Sequence, residues 1–344
     1  MRKIYLLLFL VLIFVVSSCN RDSVIEPEPP PQISVTGAYI LSEGSFNATT
    51  SQLSFYNIPD DTFSVSIFNP GNLGLFPSGL IKQDNYIYIA EQGNFGSPGK
   101  VYKLDTNGTV VSVNNSVGMN PYSLAYSNGK IYVTNGPASN VTVLDAVTLN
   151  FITEITVGVY PQEIVALGNR VFVCNTSLYG GAEDSTVSVI NSNADSVEKT
   201  ITLRKDPGSI IVNNDYRIVV GCSGGSNMIY FIDKDTLGIV DSAYVPDGFG
   251  TNIAVDGETS NIYFISGNGN VVRLNQQTKF SEIVINAGSS SFFYGYNFDW
   301  RNRKHYVLDA RDFASPGSLH IFSIGGTFEK SFNTGIAPRR VIFK

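Results

Sequence analysis

The chain repeats one short pattern seven times. An aromatic residue set among aliphatic or β-branched neighbours stands at Tyr39, Tyr88, Tyr132, Phe172, Tyr263 and Tyr306, with Val219 in that place in the fifth unit. Between 12 and 19 residues later, a second run ends at Asn57, Asp105, Asp145, Asn191, Asp233, Asn275 and Ser323. Four residues before each end lies an aliphatic: Leu53, Val101, Val141, Val187, Ile229, Val271 and Leu319. A period of about 40–50 residues made of short strands marks a propeller or a related repeat architecture, in which stacked units bury faces that none could bury alone. Composition agrees. Aromatics make up 12% and charged residues only 15%, the usage of many half-buried strands.

The openings of the units give the blade count. They fall at Pro77, Pro121, Pro161, Pro207, Thr251, Tyr294 and Pro338, spaced 44, 40, 46, 44, 43 and 44 residues apart. Runs such as Ile164, Val165 and Ala166, or Ile210, Ile211 and Val212, follow them. Unbroken apolar character means burial on both faces and assigns these runs to the innermost strands. The chain enters at residue 37 with a second strand and ends with a lone first strand at Arg340, Val341, Ile342 and Phe343. We therefore expect an all-β, seven-bladed β-propeller over residues 37–344, closed by pairing of the C-terminal strand with the N-terminal blade. Closure of this kind removes the open sheet edges that invite aggregation.

The N-terminus reads as an address. Arg2 and Lys3 precede an apolar run over residues 4–16, then Ser17, Ser18 and Cys19. A basic start, a short apolar stretch and small residues before a cut make a signal peptide over residues 1–18. Val16, Ser17, Ser18 and Cys19 resemble the bacterial lipobox, which implies lipidation of Cys19. Residues 19–36 then form a tether containing Pro27, Pro29, Pro30 and Pro31. Such segments favour extended polyproline II, so this one could hold a domain roughly 50 Å from a membrane. Asp22, Glu26 and Glu28 loosely resemble the export signal of Bacteroidetes surface lipoproteins. The expected location is the outer membrane of a Gram-negative cell, surface-exposed, with the lipid as sole membrane contact. A net charge of −6 offers no basic face to nucleic acid. Cys174 and Cys222 lie in corresponding strands of successive units, offset by one position; period-two alternation turns them to opposite faces, and buried thiols rather than a disulfide are expected.

The repeat formed by Ile131, Tyr132, Val133, Thr134 and Asn135 with Val141, Thr142, Val143, Leu144 and Asp145 resembles YncE-like and surface-layer-type propeller repeats. Residues 37–44 resemble the first blade of a Bacteroidetes lipoprotein family of such propellers. One branch of that group is a surface cobalamin-binding lipoprotein seated over an outer-membrane transporter. The resemblance covers the whole mature domain. It implies a binding role, with a corrinoid as one ligand and a transporter as one partner.

Features shared by all units read as architecture. The recurring Asp and Asn ends suit hairpin turns, and the recurring tyrosines suit the core. Function is sought where the units differ. From the second-strand aromatic to the third-strand end, the units span 18, 17, 13, 19, 14, 12 and 17 residues. The strand 2–3 loops of blades 7, 1 and 2, neighbours once the ring closes, are long and carry Phe313, Phe46 and Phe95. Blade 4 adds Leu178 and Tyr179. Aromatics on loops of a rigid scaffold anchor ligands or partners. On the same face, the loops leading into the first strands bring Phe76, Tyr122, Tyr160, Phe249, Asn252 and Phe293, followed by Arg339 and Arg340. The second strands end there with Glu43, Glu91, Asn135, Asn175 and Asp309, and Arg311 follows closely.

Signals for catalysis are few. His305 and His320 are the only histidines. Both are expected within strands of blade 7, His305 on its surface, and the rim itself carries no histidine. No nucleophile elbow, phosphate loop or metal-ligand spacing occurs. A single tryptophan, Trp300, counts against a quinone cofactor. Glu43, Glu91 and Asp309 could gather at the channel mouth as a cation or acid–base site. The expected function is a non-catalytic, monomeric binding domain without cofactor or metal, whose ligand is a small molecule or whose partner is a transporter. The alternatives are a lactonase-like hydrolase and a glycan- or protein-binding surface protein.

Overall fold

The computed structural model describes residues 34–344 except 69–70, 179–180 and 226. The signal peptide, Cys19, most of the tether and Tyr179 lie outside the described residues. Within them, 28 strands run from β1 (Gly37–Ser42) to β28 (Pro338–Phe343), grouped in seven four-stranded antiparallel sheets. The described residues form no helix. Each sheet is one blade of the expected propeller, with strands ordered outward from the central channel.

Closure occurs as the repeat phase requires. The first sheet is ordered β28, β1, β2 (Gln52–Asn57), β3 (Thr62–Ser64). The last strand pairs antiparallel with β1, setting Tyr39 opposite Ile342 and Ile40 opposite Val341. Backbone bonds from Thr36 N to Lys344 O and from Lys344 N to Gly37 O extend this seam. Val35 is also buried, its carbonyl accepting from Asn302 Nδ2 at 3.3 Å, so the domain holds the end of the tether.

The core lies between blades rather than inside them, and β1 shows why its sequence is apolar throughout. Tyr39 and Leu41 pack with Leu80, Ile87 and Ile89 of blade 2. Ala38 and Ile40, pointing the other way, pack with Tyr306, Leu308 and Leu319 of blade 7. Alternate residues leave opposite sides of a strand, and here both sides meet a neighbouring blade. Nearest the axis the first strands almost touch. A Cβ on Gly295 would sit 2.2 Å from the Arg339 carbonyl oxygen, so only glycine fits that crossing.

Both repeated features prove architectural. The seven aromatic-position residues are all essentially buried. Three of their hydroxyls reach the next blade: Tyr39 to Thr106 O at 2.9 Å, Tyr88 to Ala146 O at 2.7 Å and Tyr132 to Asp195 Oδ1 at 2.6 Å. The Asp, Asn and Ser ends cap the following turn. Asp145 Oδ1, for example, accepts from the Val147 and Thr148 amides at 3.0 and 2.7 Å, and Asp233 does the same for Asp235 and Thr236. Replacing Tyr132 with Phe should cost about 1.5–3 kcal/mol, the worth of a hydrogen bond to a charged group. Urea unfolding would measure it; a loss below about 0.5 kcal/mol would mean that the hydroxyl does not tie blade 3 to blade 4.

One expectation needs correction, and another holds with an added neighbour. His305 is not on the surface: it is fully buried, with Nδ1 2.8 Å from the Tyr296 hydroxyl and Nε2 3.1 Å from Ile324 O. Its ring lies among Tyr263, Tyr296 and Phe298, because the second strand of blade 7 faces the second strand of blade 6. Burial brings its pKa down to about 4; nearby Arg303 and Arg273 act in the same direction, while the Ile324 bond and Asp256 oppose them. Cys174 and Cys222 are both buried and form no disulfide. They do point to opposite sides of their own sheets. Adjacent blades face each other, however, so both thiols enter the blade 4–5 interface, where Cys174 packs with Ile218 and Val220. Burial raises both thiol pKa values, that of Cys222 to about 12.

Candidate functional site

The loop-rich face is shaped by strained backbone. The residue before the first-strand proline is left-handed at Phe76, Asn120, Tyr160, Asp206 and Ala337, with φ of 51, 49, 43, 55 and 51°. Non-glycine residues rarely adopt this region. In four of these blades the carbonyl so turned accepts the amide following the second strand: Gln92 on Phe76, Thr176 on Tyr160, Ser223 on Asp206 and Glu43 on Ala337. The kink thus turns each incoming chain toward the axis and fixes which side chains reach it.

At the axis, the C-terminal strand dominates. Arg339 lies between two phenols, 4.7 Å from the Tyr294 ring centre and 5.3 Å from that of Tyr122. Its Nη2 donates to the Tyr122 hydroxyl, and its Nε is 3.2 Å from Glu43 Oε1. Glu43 Oε2 also accepts from the Tyr294 hydroxyl at 2.8 Å. Arg340 pairs with Glu163 and donates from Nε to Ser78 O at 2.9 Å. Two adjacent arginines therefore connect blades 1, 2, 3, 4 and 7 across the channel. Burial works against the Arg339 charge, but Tyr122, Glu43, Tyr294 and Glu163 outweigh it and raise its pKa.

Beside this plug opens a cleft of about 590 Å³ between blades 6 and 7. One wall is aromatic. Phe292, Tyr294 and Phe313 form a cluster of steeply inclined rings with centres 4.9–6.2 Å apart, and Phe292 is 51% exposed. The other wall is the short turn through Ser266, Gly267, Asn268 and Gly269, with Thr251 beneath. Arg339 closes the inner end. The cleft exists because the blade 6 turn, between strands Asn261–Ser266 and Val271–Asn275, is short, while the blade 7 loop after Lys304–Asp309 stands higher.

The predicted rim residues divide accordingly. Phe46 and Phe95 face solvent at 93% and 77% exposure, and Phe313 at 40%. Phe46 meets Phe76 edge-on at 5.4 Å. Tyr122 belongs to the plug, and Tyr160 contributes one of the left-handed turns. The three acids do not gather. Glu43 is taken by Arg339 and Tyr294. Glu91 is buried and structural, accepting from Leu75 N at 3.0 Å and Tyr102 Oη at 3.2 Å with Lys100 3.4 Å away. Asp309 accepts the Phe292 and Arg311 amides, both at 2.8 Å. No cluster of three His, Cys, Asp or Glu suited to a metal occurs among the described residues. Phe249, Asn135 and Asn175 are buried as well; the two amides bond third-strand hydroxyls of Thr142 and Ser188 at 2.9 Å.

The rim does carry a histidine, contrary to expectation. His320 Nε2 lies 3.5 Å from Asp309 Oδ2, beside Arg311, which donates to Ser318 Oγ at 2.6 Å. Burial opposes the Asp309 charge, yet bonds from His320, the two amides and Ser291 prevail and bring its pKa to about 2. His320 Nδ1 is buried without a hydrogen-bond partner among the described residues. One nitrogen thus faces the acid, and the other is buried.

No family model matches the chain, and no curated protein matches it. Solved structures do. A quinoprotein alcohol dehydrogenase-like protein from Bacteroides thetaiotaomicron superposes with a TM-score of 0.68 at 14% identity, over 90% of this chain and 78% of that one. The propeller domain of Cps50 (Swd1) from Myceliophteria thermophila gives 0.58 at 10% identity, covering 74% and 86%. Hydrazine synthase of Kuenenia stuttgartiensis gives 0.55 at 18% identity, covering 72% and 76%. The likeness is one of fold. At such identities nothing about cofactor or chemistry follows, and Trp300 of this chain stacks on Arg301 in a first-to-second-strand turn, on the face opposite the cleft.

Proposed function

We propose that this propeller is a non-catalytic binding protein, held at a cell surface by its N-terminal segment, that captures a small molecule on its loop-rich face. The blade 6–7 cleft carries this reading. Its volume suits a drug-sized ligand, and its lining combines apolar rings with a few polar groups, as ligand sites do. The acids that a hydrolase would need are each committed to backbone, tyrosine or arginine, which favours binding over turnover.

A corrinoid ligand delivered to an outer-membrane transporter is the finer version, supported by the resemblance of the repeats. A corrinoid would overfill 590 Å³ and would have to spread over Phe313 and the neighbouring loops; the cleft itself favours something smaller. Calorimetry of the 34–344 domain with cobalamin decides this version, and absence of heat at high micromolar protein removes it.

The general reading is tested by blocking the cleft. Gly288 lines it and is exposed, and a Cβ added there would meet only Ser291 Oγ, at 3.8 Å. Gly288→Trp should leave stability within about 0.5 kcal/mol and weaken any ligand found by thermal-shift screening at least tenfold. A ligand that binds the variant undiminished places its site elsewhere.

A further inference from the structure

We propose that the ligand of the blade 6–7 cleft is a flat, apolar-bodied molecule ending in a carboxylate, which Arg339 receives; this rests on the reading of the cleft as the binding site. Three observations carry it.

The walls define a slot. Phe292 and Tyr294, backed by Phe313, face a turn made of two glycines, a serine and an asparagine. Rings on one side and near-bare backbone on the other accept a planar body in preference to a bulky one, and rigid aromatics supply contact area at little entropic cost.

The charge is one-sided. Among the described residues, Arg339 is the only charged one lining the cleft, and no acid lines it. A cationic ligand would find no acid in the lining, since Glu43, which pairs with Arg339, is not among the lining residues. Neither Glu43 nor Tyr122 lines the cleft; Glu43 Oε1 lies 3.2 Å from Nε as an ion pair, and Tyr122 accepts from Nη2.

The donor is preorganised and incompletely used. The guanidinium plane is fixed by the Tyr122 and Tyr294 rings, and Nη1 makes no hydrogen bond with the described residues. Guanidinium stays charged throughout the physiological range and matches carboxylate geometry. An Arg held in place loses little freedom on binding, so more of the contact appears as affinity. Thr251, at the base of the cleft, offers a hydroxyl to the same group.

The probes are naphthalene-1-acetate, its carboxamide and maltose, titrated calorimetrically into the 34–344 domain and into Gly288→Trp. We expect the carboxylate to bind at least tenfold more tightly than the amide, to weaken with added salt while the amide does not, and to be lost in Gly288→Trp. Arg339→Gln should equalise acid and amide; should that variant fail to fold, the salt dependence of the unaltered domain still decides. Equal affinities for acid and amide, both abolished by Gly288→Trp, overturn the carboxylate preference and leave the cleft as a ligand site. Tight maltose binding blocked by Gly288→Trp does the same in favour of a glycan. Absence of binding by both naphthalene probes overturns the proposal, and if a screened ligand is still blocked by Gly288→Trp, the general reading survives alone. Probe binding that Gly288→Trp leaves unchanged overturns both.

Discussion

Removing residues 338–344 should leave a chain that no longer forms a monomeric propeller. The deleted strand supplies the inner edge of blade 1, pairing with β1 from Ala38 to Ser42. Every residue of β1 is buried in the closed ring, so the deletion exposes an apolar strand edge of the kind that pairs with other chains. It also removes Arg339 and Arg340 while leaving Glu43 and Glu163 in place. Both ion pairs are mostly buried, and stripping one partner from a buried pair costs about 3–5 kcal/mol. Against a domain stability of roughly 5–15 kcal/mol, the two losses together remove much of it, and the lost strand pairing and burial add to them. Size-exclusion chromatography and circular dichroism would show aggregation or a lost transition. A truncated protein that stays monomeric and melts within a few degrees of the intact one would show that closure is not what holds the ring.

Acid should destabilise the domain earlier than its carboxylates alone require, and His305 should be the reason. In the folded state its pKa is about 4; in the unfolded chain it is near 6.5. The folded value is the lower one, so the unfolded state binds the proton first as pH falls. The contribution is fully present above about pH 6.5 and is lost progressively down to about pH 4, at up to about 1.4 kcal/mol per pH unit and about 3 kcal/mol in all. Asp309, with a pKa near 2, loses its contribution below the usual carboxylate range and so leaves most of this window to histidine. His305→Phe provides the control. It should be less stable at pH 7, since Tyr296 Oη and Ile324 O lose their partner, yet its stability should vary less between pH 6.5 and 4.5. Equal slopes for the two proteins in urea titrations would refute the assignment.

How much of this is legible in the chain follows from what period and phase can encode. Seven equal spacings specify the number of blades, and the mismatch between a starting second strand and a final first strand specifies how the ring closes. Side-chain alternation places Tyr132 and its counterparts in the core, and turn chemistry explains Asp145 and its counterparts, because both depend on neighbours within one blade or the next. Loop length, likewise local, picks out Phe46, Phe95 and Phe313, but the structure decides that Phe46 and Phe95 face solvent while Phe313 packs on Phe292 and Tyr294.

What period cannot encode is the company a residue keeps across a blade boundary or across the axis. A strand pattern puts His305 on the surface because it says nothing of how closely Tyr263 of blade 6 covers it. The thiols of Cys174 and Cys222 are separated by a rule for one sheet and brought to one interface by two. Glu43 and Arg339 are far apart in the chain and meet only because β28 completes blade 1. The cleft adds the same lesson. It lies beside a short loop, not among the long ones, since a depression needs a low wall next to a high one. By itself the sequence determined the propeller, its seven blades and its seam, all consequences of local pattern and chain length. Only the tertiary structure decided which acids are committed, where the histidines lie and where a ligand has room, because those depend on distances between segments that no local pattern records.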